Sequence, residues 1–158
     1  MDNHLLPADR LSAAATLLAD GYTIVRGVVR PSLIAEIEAD LADRYEATPF
    51  CRGGFYGERT KRFGRLLIRS PRMAKLVLDP VVLALAEMAL GPFCDRLQLN
   101  LTQAIELHPG ALPQFPHRDQ DMWRGEVGRV EYLINVMWPL TPFNVAAQDK
   151  GLVAGQKP

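Results

Sequence analysis

The residues best suited to chemistry lie in one tripeptide, His117-Arg118-Asp119. An imidazole and a carboxylate two apart on an extended segment project to the same side, so one divalent cation can be held by both. They supply two of the three protein ligands of a 2-His-1-carboxylate facial triad, which leaves coordination positions open for a cosubstrate and oxygen. So short a motif also arises by accident, and the tripeptide alone reads equally as a surface His-Asp pair in a loop. The chain has 3 His in all. His4 lies near the start. His108 ends an alternating run on its polar side, where it is either a further ligand or, more plainly, a strand-end residue bonded to a turn.

A second group of reactive side chains spans residues 52–69. Arg52, Arg59, Lys61, Arg62, Arg65 and Arg69 oppose Glu58, with Phe55, Tyr56 and Phe63 interleaved among Gly53, Gly54, Gly57 and Gly64. Basic, aromatic and glycine residues together suit single-stranded nucleic acid. They also suit a mobile lid facing an anionic substrate group, or a plain solvated loop. The lid is the expectation carried forward.

The elements that must hold these residues follow from pattern. Pro7 opens an Ala/Leu-rich helix that Gly21 follows, the usual bounding of a helix by Pro and Gly. Tyr22 to Arg26 alternate and are β-branched, which predicts a short strand. Pro31 opens a second helix with Ile34, Ile37, Leu41 and Tyr45 on one face and Glu36, Asp40 and Asp43 toward water. Residues 49–60 read as a loop, Ser70-Pro71 as the start of a third helix, and Pro80 to Leu90 as a fourth, closed by Gly91-Pro92. The period then changes to two. Leu97, Leu99, Leu101, Ile105 and Leu107 share one face, and Gln98, Asn100, Thr102, Glu106 and His108 the other. Pro109-Gly110 turns the chain, and Val130, Tyr132, Ile134, Val136 and Trp138 form another alternating run. Residues 97–107 and 130–138 are thus expected to pair antiparallel in one sheet, with His117 and Asp119 converging in the connection. The fold class is α+β, a single domain over 1–158, with 1–95 mainly helical and 96–158 mainly β.

Composition narrows the function. The chain has 158 residues, 48% hydrophobic and 23% charged, as in ordinary globular domains. Its 18 basic and 18 acidic residues cancel, which argues against a general nucleic-acid binder. No apolar run approaches the ~20 residues of a membrane helix. The start carries no cationic leader, and Cys51 and Cys94 are too few for a disulfide framework. A reduced, cytoplasmic protein is the expectation.

The order Pro109-Gly110, Gln114, His117, Asp119, Trp123 resembles the phytanoyl-CoA dioxygenase family of non-haem iron oxygenases. Further pieces agree in order: Gly21 to Val29, Arg62-Phe63 with Ile68-Arg69-Ser70, Asp79-Pro80 leading to Leu90-Gly91, and Met137 to Phe143. The resemblance implies a double-stranded β-helix (a jelly roll) with helices packed outside. It implies Fe(II) and 2-oxoglutarate as cofactors for hydroxylating an unactivated C–H bond of a small organic substrate. It makes His117 and Asp119 iron ligands and puts Gln114 beside the 2-oxoglutarate. Asn100 and Thr102 would line the pocket, unless they belong to an ordinary solvated sheet face. Phe115, Met122 and Trp123 flank the ligands as substrate walls or as core.

The sequence departs from the family in one respect. The pattern places a second metal His downstream, in a Pro-Gly-Ser-His turn, and beyond it an Arg for the distal carboxylate of 2-oxoglutarate, which a fork of donors suits. No His follows His117, and the only arginines beyond the His117-Arg118-Asp119 motif are Arg124 and Arg129. Gly151 to Lys157 lie where the turn is expected. The chain therefore reads as the N-terminal portion of such an oxygenase, inactive alone and with an open strand edge suited to self-association. The alternative, from another class, is a non-catalytic metal or small-molecule binding module.

Overall fold

The computed structural model describes residues 7–123 and 129–141. His4, Arg124 and the tail from 142 onward lie outside them. In chain order the elements are α1 (Pro7–Asp20), α2 (Pro31–Ala47), β1 (Thr60–Gly64), α3 (Leu66–Arg69), α4 (Met73–Val77), α5 (Pro80–Leu90) and β2 (Gln103–Leu107). The class is α+β, as expected. Among the described residues no helix is long and apolar enough to cross a membrane.

Local chemistry sets the helix ends. Pro31 occupies the first turn of α2, where a missing N–H costs nothing. At its C-terminal end the Thr48 hydroxyl donates to the Arg44 carbonyl at 2.6 Å. The Asp79 carboxylate caps α5, accepting from the amides of Val81 at 2.9 Å and Val82 at 3.3 Å. Pro80 again fills the first turn, so α5 has the bounds its sequence predicts.

The core has two parts. Ala14 of α1 meets Val81 and Leu85 of α5, with Val25 and Val28 against them. Leu33, Ile37 and Leu41 of α2 meet Phe63, Leu66, Met73, Leu76 and Ala104, with Tyr45, Trp138 and Leu140 at the edge. The buried stripe of α2 thus runs through Leu33 instead of Ile34, which is only half-buried.

The sheet differs most from expectation. β1 and β2 pair antiparallel, from Thr60 opposite Leu107 to Gly64 opposite Gln103. The partner of β2 is therefore the middle of the basic segment and not residues 130–138, which form no strand. Only Gln103–Leu107 of the expected strand 97–107 joins the ladder, and residues 22–26 are extended but unpaired. The described residues form one two-stranded sheet and no jelly roll. The reason is physical. Alternation specifies a face, whereas a ladder needs a neighbour with free N–H and C=O groups, and Leu97, Leu99 and Leu101 have no strand beside them and stay exposed.

The lid expectation is also corrected over residues 60–69. Thr60, Phe63 and Leu66 are buried there, and Arg69 folds back, its Nε donating to the Gly64 carbonyl at 2.8 Å. The faces of the sheet follow from the register. Phe63 and Ala104 pair toward the helices, as do Lys61 and Glu106. Arg62 and Ile105 pair on the opposite face.

One polar network ties α2 to α4. The buried Ser70 hydroxyl donates to Asp40 Oδ2 at 2.6 Å, and Arg72 Nη1 donates to both Asp40 oxygens at 2.9 and 2.8 Å. The Ser70 bond first, and Arg72 next, hold the Asp40 carboxyl below the usual carboxylate range. A carboxyl depressed in the folded state stabilises above its unfolded value, about 3.9 for Asp, and that contribution disappears as pH falls through the folded value. Thermal melts between neutral pH and pH ~3 are therefore expected to fall more steeply for the wild type than for Asp40→Asn. Parallel acid limbs in the two proteins would remove Asp40 from this role.

Candidate metal centre

The chain leaves β2 through Pro109-Gly110, and Gly110 adopts φ 82°, the left-handed region where a side chain is strained. This turn brings residues 114–119 back past the basic segment. Gln114 is held at both ends of its amide. Nε2 donates to the Phe55 carbonyl at 2.9 Å, and Oε1 accepts from Arg62 Nη2 at 3.4 Å. Arg62 also reaches Gln103 Oε1 at 3.4 Å and stacks over the Tyr56 ring, 5.2 Å from its centroid. The Phe55 ring lies 5.1 Å from the His117 ring. Residues 53–57 are thus a turn (the Gly57 amide donates to the Gly53 carbonyl at 3.1 Å) that carries the Phe55 ring to His117 and the Tyr56 ring to Arg62.

His117 and Asp119 converge. Nε2 of His117 stands 3.2 Å from Oδ1 of Asp119. The other atoms of the pair are engaged: His117 Nδ1 lies 2.6 Å from the Phe115 carbonyl, and Asp119 Oδ2 accepts from Asn135 Nδ2 at 2.6 Å. A carbonyl oxygen only accepts, so Nδ1 carries the hydrogen. Nε2 and Oδ1 thus face one another as a ligand pair would, and an imidazole whose second nitrogen donates to a backbone carbonyl is the usual form of a metal-bound histidine.

The pair would supply two of the three protein ligands of a divalent cation. Among the described residues no group of three or more His, Cys, Asp and Glu side chains gathers to hold a metal. His108 stands elsewhere. Its Nε2 lies 3.1 Å from Glu106 Oε2, its ring packs edge-on against Phe50 at 4.9 Å, and its amide donates to the Arg59 carbonyl at 3.0 Å. Glu106 shares the helix-facing side of the sheet with Lys61, opposite the face that carries Arg62. Asp121 turns to Arg118 at 3.5 Å.

The remaining expected site residues are spread out. Thr102 Oγ1 accepts from the Leu66 amide at 3.0 Å and so anchors α3. Asn100 is exposed before the ladder begins. Phe115 and Met122 are 86% and 87% exposed, and Trp123 is 44% exposed, so these three are not core. Sequence reasoning missed Phe55, Arg62 and Asn135 as neighbours of the site. Asn135 had a signal, since it falls on the polar phase of the run from Val130 to Trp138.

Residues 17–147 match the family model described as phytanoyl-CoA dioxygenase. Among curated proteins the chain is similar to the multifunctional dioxygenase prhA of Penicillium brasilianum, 27% identical over 94% of this chain and 52% of the relative. It is similar to the multifunctional dioxygenase ausE of Emericella nidulans, 30% identical over 94% of this chain and 52% of that protein. The dioxygenase FrzG of a Cladobotryum species is 28% identical over 78% of this chain and 47% of its own length. The chain spans about half the length of the curated relatives it matches. With a family match over most of its residues, this chain belongs to the phytanoyl-CoA dioxygenase family.

Proposed function

We propose that the chain carries the first part of the active site of an Fe(II)- and 2-oxoglutarate-dependent dioxygenase that hydroxylates a small organic substrate, within the first part of a double-stranded β-helix. The observation that carries this is the His117–Asp119 pair, with Nε2 and Oδ1 turned to one another at 3.2 Å and their far atoms already bonded. Iron held there supplies the oxygen activation that an unreactive C–H bond requires. Gln114 presents a fixed amide beside the ligands, and Arg62 sets a cation next to that amide. Phe55, Phe115 and Trp123 offer apolar surface around the pair. Asn100 and Thr102 precede the strand that leads into the site. The exposed Leu97, Leu99, Leu101, Ile105 and Leu107 support self-association of the isolated chain, because an uncovered strand invites pairing.

The reading is tested by incubating the 158-residue chain with iron(II), oxygen and 2-oxoglutarate and measuring succinate. With two ligands and no later His, little or no succinate is expected. Robust turnover that disappears in His108→Ala would make His108 the third ligand and overturn the placement of that residue with Glu106.

A further inference from the structure

Asn135 belongs to neither motif, yet it is the residue that meets the far side of the candidate ligand. A carboxylate has two acceptor oxygens and no donor, and its terminal torsion is broad and two-fold. Left alone, Asp119 would exchange its oxygens or offer both at once. The amide of Asn135 occupies Oδ2 at 2.6 Å, and Oδ1 is the oxygen that faces His117 Nε2 at 3.2 Å.

We propose that Asn135 is a positioning residue for Asp119: it holds Oδ2 and thereby leaves Oδ1 as the single oxygen offered to a divalent cation. The proposal rests on the metal reading above. The side-chain type fits the task. A Lys or Arg in this place would donate as well but would cancel the negative charge that the cation needs, whereas a neutral amide orients the carboxylate and leaves its charge intact. Position fits too. Asn135 precedes Trp138 and Leu140, both packed against the helical core, so the amide is carried on a segment anchored to α2 and is independent of the loop it braces.

The test has two arms. In the metal-free chain, the Asn135 side-chain amide is expected to show one proton displaced downfield in ¹H–¹⁵N spectra, and Asp119→Ala is expected to abolish that displacement. In the second arm cobalt(II) alone is titrated into the wild type, Asn135→Leu and Asn135→Ser, with circular dichroism confirming equal folding. Asn135→Leu is expected to weaken cobalt binding by about tenfold, and Asn135→Ser, which keeps a shorter donor, to recover part of the loss. Equal cobalt affinity in wild type and Asn135→Leu would overturn the positioning role while leaving the metal reading intact. A wild type that binds no cobalt while the displaced amide proton is present would overturn the metal reading, and the proposal with it.

Discussion

Replacing Phe63 by Ala is expected to destabilise the fold by about 3–5 kcal/mol, a large share of the ~5–15 kcal/mol that a domain has in total. The ring is 6% exposed. It meets Tyr45 edge-on at 4.8 Å, and the guanidinium groups of Arg44 and Arg69 lie 5.9 and 5.8 Å from its centre. Its partner across the ladder is Ala104, too small to fill the space that would be left. The cavity would therefore persist, and the cost would include a cavity contribution as well as lost transfer energy. Urea unfolding with an unchanged slope and a lower midpoint is the expected reading. Phe115→Ala, at an open position, serves as the control. Equal midpoints for the two variants would show that β1 does not anchor the core.

His117→Ala and Asp119→Ala are each expected to reduce divalent metal binding by at least 10–100-fold, the range for losing even an outer partner of a ligand. Asp121→Ala is expected to leave binding unchanged, because that carboxylate faces Arg118. A cobalt(II) titration of the four proteins decides the matter. Binding that survives both ligand substitutions would put the metal elsewhere, or show that it binds nowhere in particular.

Much of the helical part was legible in the sequence because its signals are local. Asp79-Pro80 and Gly91-Pro92 bracket α5, and Pro31 starts α2, through chemistry that acts within one turn. The α+β class and the convergence of His117 with Asp119 followed from periodicity and from a two-residue spacing. The sheet pairing did not, because alternation in residues 97–107 and 130–138 says nothing about which strand lies beside which. β1 was hidden by its own composition: Lys61 and Arg62 suggested a solvated loop, while Phe63, the residue that decides its burial, is one aromatic among several. The environment of the ligands was illegible for a related reason. Phe55, Arg62 and Asn135 reach the site from distant parts of the chain, and no local pattern announces such meetings.

The polar face of residues 98–108 carries a further lesson. It was expected to look into the pocket, yet its members Thr102, Glu106 and His108 engage α3, Lys61 and Phe50. On the helix side of this sheet the Leu66 amide of α3 donates to Thr102, while Lys61 of β1 pairs with Glu106 and donates to the Tyr45 carbonyl of α2. Polarity marked a face whose partners come from the protein's own strands and helices.

The contacts around the ligands also fix an order of events. Gln114 bonds to residues 59 and 52 positions earlier, and Asp119 to one 16 positions later. Contacts of such separation form only after the intervening loops have closed. His117 and Asp119 are synthesised almost together, but their orientation depends on a turn made long before them and on an amide made after them. During translation the ribosome must release residue 135 before the pair can be braced on both sides. The geometry that suits a metal therefore cannot be complete until residue 135 has left the ribosome.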